Sequence, residues 1–247
     1  MHRFFVDRSQ VEKEKIVILG SDVNHIRNVL RMKIGDQIQI SDGSNQVWLC
    51  QIVQMENDKI ETEILSVEES FAELPAKIYL FQGIPKGDKM EWIIQKAVEL
   101  GVYAIVPMRT NRVVVKLDKE KEQSKRNRWN KIAESAAKQS GRTVIPEVLP
   151  IMGLEEVCHF VKEFECKMIP YECTNEKGVG RTRKLVEKIQ PKDRVGVLIG
   201  PEGGFEKEEV EIALQNGIEA VSLGKRILRT ETAGMIALGM IMLFLEE

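Results

Sequence analysis

Metal-binding and disulfide patterns are missing from this sequence of 247 residues. Its four cysteines, Cys50, Cys158, Cys166 and Cys173, contain no C-x-x-C pair, and its three histidines are scattered along the chain. Zinc sites use closely spaced cysteine and histidine ligands, so we expect no metal site. Isolated cysteines of this kind are typical of reduced, buried thiols in a cytoplasmic protein.

Long hydrophobic runs are also scarce. The one long run, residues 233–245, is shorter than the ~20 apolar residues that a membrane-spanning helix needs. The first residues, MHRFFVDRSQ, have none of the features of a signal peptide. We therefore expect a soluble, cytoplasmic protein without a membrane partner.

A large charge of one sign is absent as well. The 36 Lys and Arg residues against 38 Asp and Glu residues give a net charge of −2, so the overall charge indicates no nucleic-acid partner. Locally the balance differs, because residues 109–142 hold eleven basic side chains and four acidic ones. That excess is a candidate surface for a polyanion, although charge alone favours a solvated, charge-laced helix.

The sequence changes character near residue 72. Before it, alternating stretches such as DQIQISDGSNQVWLCQIVQ and KIETEILSV are joined by the turn-forming pairs Asp42-Gly43 and Asn57-Asp58. This pattern predicts antiparallel strands of a small barrel or sheet. Pro75 lies at the joint, which we place within residues 70–76.

After the joint, strand-like and helix-like stretches alternate. The strand-like stretches are KIYLFQ, VYAIVPM, TVIPEVL, CKMIPY and RVGVLIG. The predicted helices lie near residues 88–100, 119–140, 153–164 and 181–189. Repeated strand-helix-strand units predict a mostly parallel sheet covered by helices, the α/β class.

Two glycine-bearing loops follow strands in the last third of the chain. One lies in LIGPEGGFEKEEVE, residues 198–211, and the other begins at Leu223-Gly224. Neither contains the glycine and lysine spacing of a triphosphate or dinucleotide loop, and Glu202 would repel phosphate. S-adenosylmethionine, which carries positive charge and no phosphate, is one candidate ligand among several; a purely structural turn is the alternative.

Several motifs in order along the whole chain resemble one family. LIGPEGGF followed by SLGKRILRTETA is similar to the RsmE family, SPOUT-class methyltransferases that make N3-methyluridine in 16S ribosomal RNA of the small subunit. MHRFFV and HIRNVLRMKIGD are similar to that family's PUA-like RNA-binding domain. The remaining matches are PKGDKMEWIIQKAVELGV, RVVVK and RWNKIAESAAKQSGR.

The resemblance implies a fold that the pattern alone does not give. It implies a PUA-like β-barrel domain at residues 1–72 and a SPOUT methyltransferase domain at 73–247, with a carboxyl-terminal trefoil knot at about 195–247. General topology rules treat such knots as essentially absent. In the family, the knot loops wrap S-adenosylmethionine. The implied cofactor residues are Ile199, Gly200, Pro201, Glu202, Gly203, Leu223, Gly224, Ile227, Leu228, Thr230 and Ala233.

The implied chemistry needs two aids. Uridine N3 carries a proton on the Watson–Crick edge, so the base must be unpaired or flipped out before it reacts. Its anion then needs a proton acceptor and a cation for the charge on O2 and O4. We assign the cation role to Arg229, which keeps its charge at every relevant pH. Glu231 either accepts the proton or orients Arg229 through a salt bridge; a pair that only shapes the loop is the structural alternative.

The resemblance also gives the basic tract a role. Basic side chains would contact RNA phosphates and supply salt-dependent affinity, while the amino-terminal domain reads sequence and shape. A surface helix without a partner is the alternative around residues 25–31. The predicted RNA-binding residues are Arg3, Arg27, Arg31, Arg109, Arg112, Lys116, Arg126, Arg128 and Arg142.

The carboxyl-terminal stretch TAGMIALGMIMLFL is apolar on nearly all sides, so we expect it to be buried. Composition favours a core helix within one chain. SPOUT enzymes, however, are homodimers whose last helix packs across the two-fold axis, so the resemblance favours a homodimer through this helix.

Two functions of different class remain. One is methylation of uridine N3 in 16S ribosomal RNA or the small ribosomal subunit, with S-adenosylmethionine as cofactor. The other is a non-catalytic RNA-binding factor for ribosome assembly. Two intact cofactor loops favour the enzyme. A methyltransferase acting on a ribose 2′-hydroxyl is disfavoured by the full-length match rather than by any single residue.

Overall fold

The computed structural model describes residues 1–112, 119–171 and 179–246. The chain divides into two compact units. The first is formed by Met1–Glu73 with Ala137–Ile145, and the second by Leu74–Ala136 with Pro146–Glu247. The chain therefore enters the second unit and returns briefly to the first before it completes the second.

The first unit contains a five-stranded sheet with the order β1-β3-β4-β5-β2. Its strands are β1 (Arg3–Phe5), β2 (Lys15–Leu19), β3 (Gln37–Ser41), β4 (Gln46–Met55) and β5 (Lys59–Glu69). Neighbours are antiparallel, as the alternating sequence predicts, except that β1 runs parallel to β3. Two register shifts between β4 and β5 curve the sheet, as β-bulges do.

Alternation along these strands makes the core of the first unit. Ile16, Ile18, Ile38, Ile40 and Ile52 are at most 1% exposed. Ile38 and Ile40 flank the polar Gln39, and Ile16 and Ile18 flank the less buried Val17, so one face of the sheet is apolar and packs inward.

A short helical segment covers this core, where the sequence predicts a helix or turn. Helix α1 (Ser21–Asn24) continues into a wider π-helical turn at His25–Val29. Val23 and Ile26 point into the core and are at most 2% exposed. The segment ends just before Arg31, which has a left-handed φ of 54°.

The second unit is an α/β layer structure. Its sheet has the order β12-β10-β11-β6-β7-β8, with β9 also paired to β7, and all of these pairs are parallel. The strands are β6 (Lys77–Gly83), β7 (Ala104–Arg109), β8 (Glu147–Val148), β9 (Met152–Gly153), β10 (Cys166–Pro170), β11 (Arg194–Ile199) and β12 (Glu219–Val221). The helices are α2 (Lys89–Glu99), α3 (Lys119–Ser140), α4 (Leu154–Phe160), α5 (Gly180–Val186), α6 (Lys207–Gln215) and α7 (Thr230–Leu245). The last turn of α3, from Ala137 onward, belongs to the first unit.

The predicted α/β class is confirmed, although some elements are shorter than expected. Strand β8 covers only part of TVIPEVL, because Pro146 has no N–H to donate and the strand begins after it. Helix α4 ends at Phe160, and helix α5 begins and ends slightly before its predicted range.

Strands β6 and β11 form the centre of the sheet. Leu80, Phe81, Val197 and Leu198 are fully buried. Consecutive residues of a strand point to opposite faces, so both faces of the sheet are covered here, as in other parallel sheets.

The carboxyl ends of the central strands share one edge. Gln82 near the end of β6 is the register partner of Ile199 at the end of β11. Likewise, Pro170 of β10 is the partner of Val221 at the end of β12. Segments that follow these strands therefore meet at this edge, where ligands bind in open α/β sheets.

Helix α7 buries one of its faces. Gly234, Ala237 and Ile241 are buried, whereas Ile236 and Leu243 are 43% and 65% exposed. Composition predicts that the whole stretch is buried. In the single chain, only one face of the helix is buried. Among the described residues, no helix is both long and apolar enough to cross a membrane. The trefoil knot stays a prediction.

Candidate functional site

A cleft of about 650 Å³ lies at the carboxyl edge of the sheet in the second unit. Both glycine-bearing loops line it. We call residues 200–205 the β11 loop and residues 222–229 the β12 loop, after the strands they follow. The predicted residues that meet in the cleft are Ile199, Gly200, Pro201, Glu202, Gly203, Leu223, Gly224, Ile227, Leu228, Arg229, Thr230 and Ala233.

The β11 loop is held from several sides. The carbonyl of Gly200 accepts a hydrogen bond of 2.6 Å from Thr230 Oγ1, and the carbonyl of Gly203 accepts one from Arg112. A Cβ added at Gly200 would lie 3.1 Å from Gly204 Cα. Gly200 therefore permits the tight packing of the loop on itself.

Glu202 is fixed by contacts at its carboxylate. Its oxygens accept hydrogen bonds from Lys89 Nζ at 2.9 Å and from the backbone N–H of Lys86 at 3.2 Å. Burial pushes the pKa of Glu202 upward, but these hydrogen bonds and the positive charge of Lys89 outweigh it and hold the pKa below its ordinary value. Glu202 is therefore ionised at neutral pH and also stabilises the loop.

Lys89 is a residue of the cleft that the sequence analysis did not assign. Its ammonium lies 2.9 Å from Glu202 Oε1 and 3.9 Å from Glu231 Oε2, so it connects two carboxylates. The signal was present in PKGDKMEW, where this lysine begins α2 after a glycine-containing turn.

Glu231 faces Lys89 rather than Arg229. No ion pair between Glu231 and Arg229 occurs among the described residues, so the expectation that Glu231 orients Arg229 through a salt bridge is corrected. Glu231 Oε2 is buried and accepts no hydrogen bond from any described residue. The Glu231 carboxylate thus retains an acceptor atom, whereas Arg229 is exposed at the cleft.

The β12 loop makes fewer contacts. Thr182 Oγ1 donates a hydrogen bond of 2.6 Å to the carbonyl of Ser222, which fixes the start of the loop. Gly224 has a φ of +124°, and a Cβ added there would meet no atom within 4 Å. Glycine is therefore required at this position by backbone conformation. Further along, Ile227 is 80% exposed.

Predicted RNA-binding arginines of the second unit are accessible, and each has an acidic neighbour. The side chains of Arg109, Arg112 and Arg128 are about half exposed or more, at 53%, 49% and 65%, and that of Arg126 is 28% exposed. Their ion pairs are Arg109–Glu122, Arg112–Glu206, Arg126–Glu147 and Arg128–Glu91. Lys116 lies outside the described residues.

Arg142 in the first unit requires a correction. It is only 3% exposed, and its guanidinium forms a buried ion pair with Glu73. Glu73 also accepts hydrogen bonds from the backbone N–H groups of Thr143 and Val144. Burial raises the pKa of Glu73, but the contacts with Arg142 and these two backbone N–H groups together hold it below its ordinary value. An enclosed guanidinium of this kind holds the fold together, so the prediction that Arg142 contacts RNA phosphates is wrong.

The other predicted RNA residues of the first unit differ in their surroundings. Arg3 is half-buried and donates to the carbonyl of Gly141 and to Gln39 Oε1. Arg27 donates to the carbonyl of Glu56 at 2.7 Å. Arg31 is exposed. Of these side chains, Arg31 therefore presents the most accessible charge.

The three cysteines that the structure describes are all buried. Cys50, Cys158 and Cys166 are buried free thiols, and burial raises the pKa of Cys50 to about 11 and that of Cys166 to about 12. Within the part of the chain that the structure describes, which excludes Cys173, no group of three or more His, Cys, Asp or Glu side chains is arranged to hold a metal ion.

Comparison with protein families gives two matches. Residues 72–242 match the model of an RNA methyltransferase domain, and residues 18–65 match that of an RNA methyltransferase PUA domain. Together they cover most of both units.

Individual relatives match along almost their whole length. Ribosomal RNA small subunit methyltransferase E of Bacillus subtilis is 37% identical over 246 residues, which are 98% of this chain and 96% of the relative. The protein of the same name from Buchnera aphidicola (subsp. Schizaphis graminum) is 34% identical over 236 residues, which are 96% of this chain and 92% of the relative. A solved structure of Neisseria gonorrhoeae ribosomal RNA small subunit methyltransferase E bound to S-adenosyl methionine is 34% identical, with a TM-score of 0.82 over 96% of this chain and 95% of that one.

Proposed function

Because the chain belongs to the ribosomal RNA small subunit methyltransferase E family, we propose that it transfers a methyl group from S-adenosylmethionine to N3 of a uridine in 16S ribosomal RNA. One observation carries this proposal: both glycine-bearing loops line a single cleft, together with Arg229 and Lys89. Lys89 in turn pairs with Glu231. Methylation of ribosomal RNA follows from the family; the uridine and its N3 position are our proposal.

The cleft suits the cofactor in size and chemistry. Its volume falls within the ~300–1,000 Å³ of small-molecule sites, which are mostly apolar with a few polar groups. Ile199, Leu223, Ile227 and Leu228 supply apolar surface for the faces of a purine. Glu202, which is paired with Lys89, supplies a carboxylate that complements a sulfonium. When bound, the cofactor supplies an electrophilic methyl group.

The residues of the β12 loop and the start of α7 act on the uridine. Arg229 is exposed at the cleft and its guanidinium holds the charge that develops on the uracil oxygens as N3 loses its proton. Glu231 accepts that proton, because its buried Oε2 has a free acceptor position among the described groups. The base must be unpaired or turned out of a helix to bring its Watson–Crick edge to these groups.

RNA is held by arginines of both units. Arg109, Arg112, Arg126 and Arg128 contact phosphates in the second unit, and Lys116 is proposed to join them. In the amino-terminal domain, proposed at residues 1–72, Arg31 makes the corresponding contact, and Arg27 and Arg3 are proposed to add to it. Binding through phosphates weakens steeply as salt concentration rises. The cytoplasm is the proposed place of action, since the small subunit is the proposed substrate.

The exposed face of α7 supports a homodimer. Ile236 and Leu243 lie on this face, about two turns apart, and are exposed in the single chain. A second copy packed across a two-fold axis would cover them. We expect light scattering at micromolar concentration to give twice the mass of one chain, and a particle of monomer mass would contradict the dimer. The knot at about residues 195–247 belongs to the same proposal.

Nucleoside mass spectrometry tests the substrate directly. Small-subunit RNA from cells that lack the protein is expected to lose N3-methyluridine and to regain it when the wild-type chain is restored. Unchanged N3-methyluridine refutes the substrate assignment. Calorimetry with S-adenosylhomocysteine separates the enzyme from a non-catalytic assembly factor, because a protein that binds only RNA would release no heat.

A further inference from the structure

Strand β6 ends directly beneath the cleft and carries a buried polar side chain there. Gln82 is fully buried, and its Nε2 donates a hydrogen bond of 2.8 Å to Thr230 Oγ1. Thr230 Oγ1 in turn donates one of 2.6 Å to the carbonyl of Gly200. This chain of hydrogen bonds joins the end of β6, the first residue of α7 and the first residue of the β11 loop.

The direction of these hydrogen bonds follows from the donors available. A threonine hydroxyl has one proton, and here the proton is given to Gly200. The amide of Gln82 occupies an acceptor position on the same oxygen. Gln82 therefore holds the Thr230 hydroxyl in the orientation that binds the β11 loop. Since Thr230 directly follows the β12 loop, this hydroxyl ties the two cofactor loops together.

The oxygen of the Gln82 amide lowers the stability of the fold. Gln82 Oε1 is buried and has no hydrogen-bond partner among the described residues. A buried amide oxygen without a partner destabilises a fold, whereas a hydrocarbon side chain of similar size does not. The glutamine is thus a poor choice for core stability alone, and its contribution lies in the hydrogen bonds that its amide donates.

Gly83, the next residue, supports the same loop by having no side chain. A Cβ built at Gly83 would lie 2.6 Å from both Pro201 Cδ and Pro201 N, and 2.9 Å from the carbonyl carbon of Gly200. The β11 loop therefore rests on the bare backbone of β6. Any side chain at this position would push Pro201, which lines the cleft, away from its place.

We propose that Gln82 and Gly83 are positioning residues that set the β11 and β12 loops relative to each other for cofactor binding. This inference rests on the proposed function and adds residues outside the glycine loops to it. Neither residue lines the cleft. Both act through Thr230, Gly200 and Pro201, so their loss changes the preorganisation of the site rather than a contact with the ligand.

The hydrogen bonds are tested with substitutions that keep size. Gln82→Met and Thr230→Val each break the chain, and we expect each to weaken S-adenosylhomocysteine binding about tenfold by calorimetry. Thr62→Val is the matched control, because it removes a buried threonine hydroxyl that donates to the carbonyl of Ile16 in the first unit, and it is expected to leave this binding unchanged. Thermal melting of Gln82→Met should be unchanged or slightly higher, because the unpaired amide oxygen is removed. A purely structural role would instead lower melting temperature and affinity together.

The close packing is tested with a matched pair of glycines. Gly83→Ala adds a methyl group where no space exists, whereas Gly180→Ala adds the same group where no atom lies within 4 Å. We expect Gly83→Ala to weaken S-adenosylhomocysteine binding by more than about tenfold, and Gly180→Ala to leave it unchanged. In methylation assays, Gly83→Ala and Gln82→Met should raise the KM for the cofactor more than they lower kcat.

A double variant separates this inference from its alternatives. Gln82→Met combined with Thr230→Val should bind no more weakly than the weaker single variant, because both break one chain. Wild-type affinity in folded Gln82→Met and Thr230→Val overturns the role of Gln82, as does strict additivity in the double variant. Wild-type affinity in folded Gly83→Ala overturns the role of Gly83. A wild-type chain that binds no S-adenosylhomocysteine contradicts the proposed function itself.

Discussion

The two loops of the cleft differ in how the protein holds them. The β11 loop is fixed by hydrogen bonds to the carbonyls of Gly200 and Gly203 and to the carboxylate of Glu202. In the β12 loop, the side chains of Lys225, Arg226 and Arg229 form no hydrogen bond or ion pair with any residue that the structure describes. Contacts within the chain therefore fix the β11 loop, whereas the order of the β12 loop depends more on a bound ligand.

This difference gives the two loops different roles in binding. A wall that is already in place costs little to organise when a ligand arrives, so it favours affinity. A wall with few contacts can close over a ligand, but part of the binding energy is used to order it. The β11 loop thus suits the recognition of the cofactor, and the β12 loop suits contact with both cofactor and RNA base.

Valine at Gly200 or Gly224 should produce the largest effect and abolish S-adenosylhomocysteine binding. At Gly200 the branched side chain would collide with Gly204 and Phe205, and at Gly224 it would be forced to a φ of +124°. RNA retardation should stay nearly intact, because most of the proposed phosphate contacts, those of Arg31, Arg109, Arg126 and Arg128, lie outside the cleft. Calorimetry and gel retardation measure both. Normal cofactor affinity in both folded variants would mean that the cofactor binds in another cleft.

Arg229→Ala should lower the single-turnover rate of methylation by about 10²-fold or more, the scale found when one donor to a developing oxyanion is removed. Cofactor affinity should change little, which would separate chemistry on the β12 loop from recognition on the β11 loop. Arg229→Lys is the control and should recover part of the rate, because it keeps the charge but loses the planar fork. A folded Arg229→Ala enzyme with the wild-type rate removes Arg229 from the mechanism.

Glu231→Gln should slow methylation about 10²-fold at neutral pH if Glu231 accepts the N3 proton. Rising pH should partly restore the rate, because a growing fraction of uridine ionises without help. The pH dependence of the single-turnover rate measures this, with the wild-type enzyme as the comparison. A defect that does not vary with pH returns Glu231 to a structural role beside Lys89.

The sequence predicts the residues of the two loops better than the residues of β6 that hold the loops in place. The residues of both loops follow each other in two short motifs, so resemblance locates Ile199 and Thr230 together with their neighbours. Gln82 and Gly83 gain their roles only when β6 pairs with β11, more than a hundred residues later in the chain. Local sequence carries no signal for such a contact.

The error at Arg142 has the same origin. Its place in a basic tract predicts an exposed charge, but its partner Glu73 lies 69 residues earlier. Charge patterns read along the chain describe a helix surface, whereas burial depends on which segments meet in the fold. The sequence does not single out Lys89 for the related reason that its carboxylate partners, Glu202 and Glu231, lie in later segments of the second unit.

Lys89→Met should loosen the β11 loop and weaken S-adenosylhomocysteine binding about fivefold, because Glu202 loses its charged donor. The change also leaves Glu202 and Glu231 uncompensated, so the positively charged cofactor should gain affinity relative to its neutral product. Calorimetry with both ligands gives this ratio. Lys96→Met is the control, since Lys96 also lies on α2 and pairs with Glu99 at 2.8 Å. An unchanged ratio would show that Lys89 has no electrostatic role in the cleft.

Ile227→Ala should give the smallest effect, a loss of about threefold to fivefold in S-adenosylhomocysteine affinity. The side chain is 80% exposed without a ligand, so its removal should not alter the melting temperature. On binding it covers only part of its surface, which yields less than the ~1.5–3 kcal/mol of full burial. Leu214→Ala, an exposed aliphatic residue of α6 outside the cleft, is the control and should change neither quantity. Hydrogen exchange completes the comparison of the loops: amides of residues 225–228 should gain more protection from the ligand than those of residues 202–204. Equal protection of the two loops before binding would contradict the division between a fixed wall and one that the ligand orders.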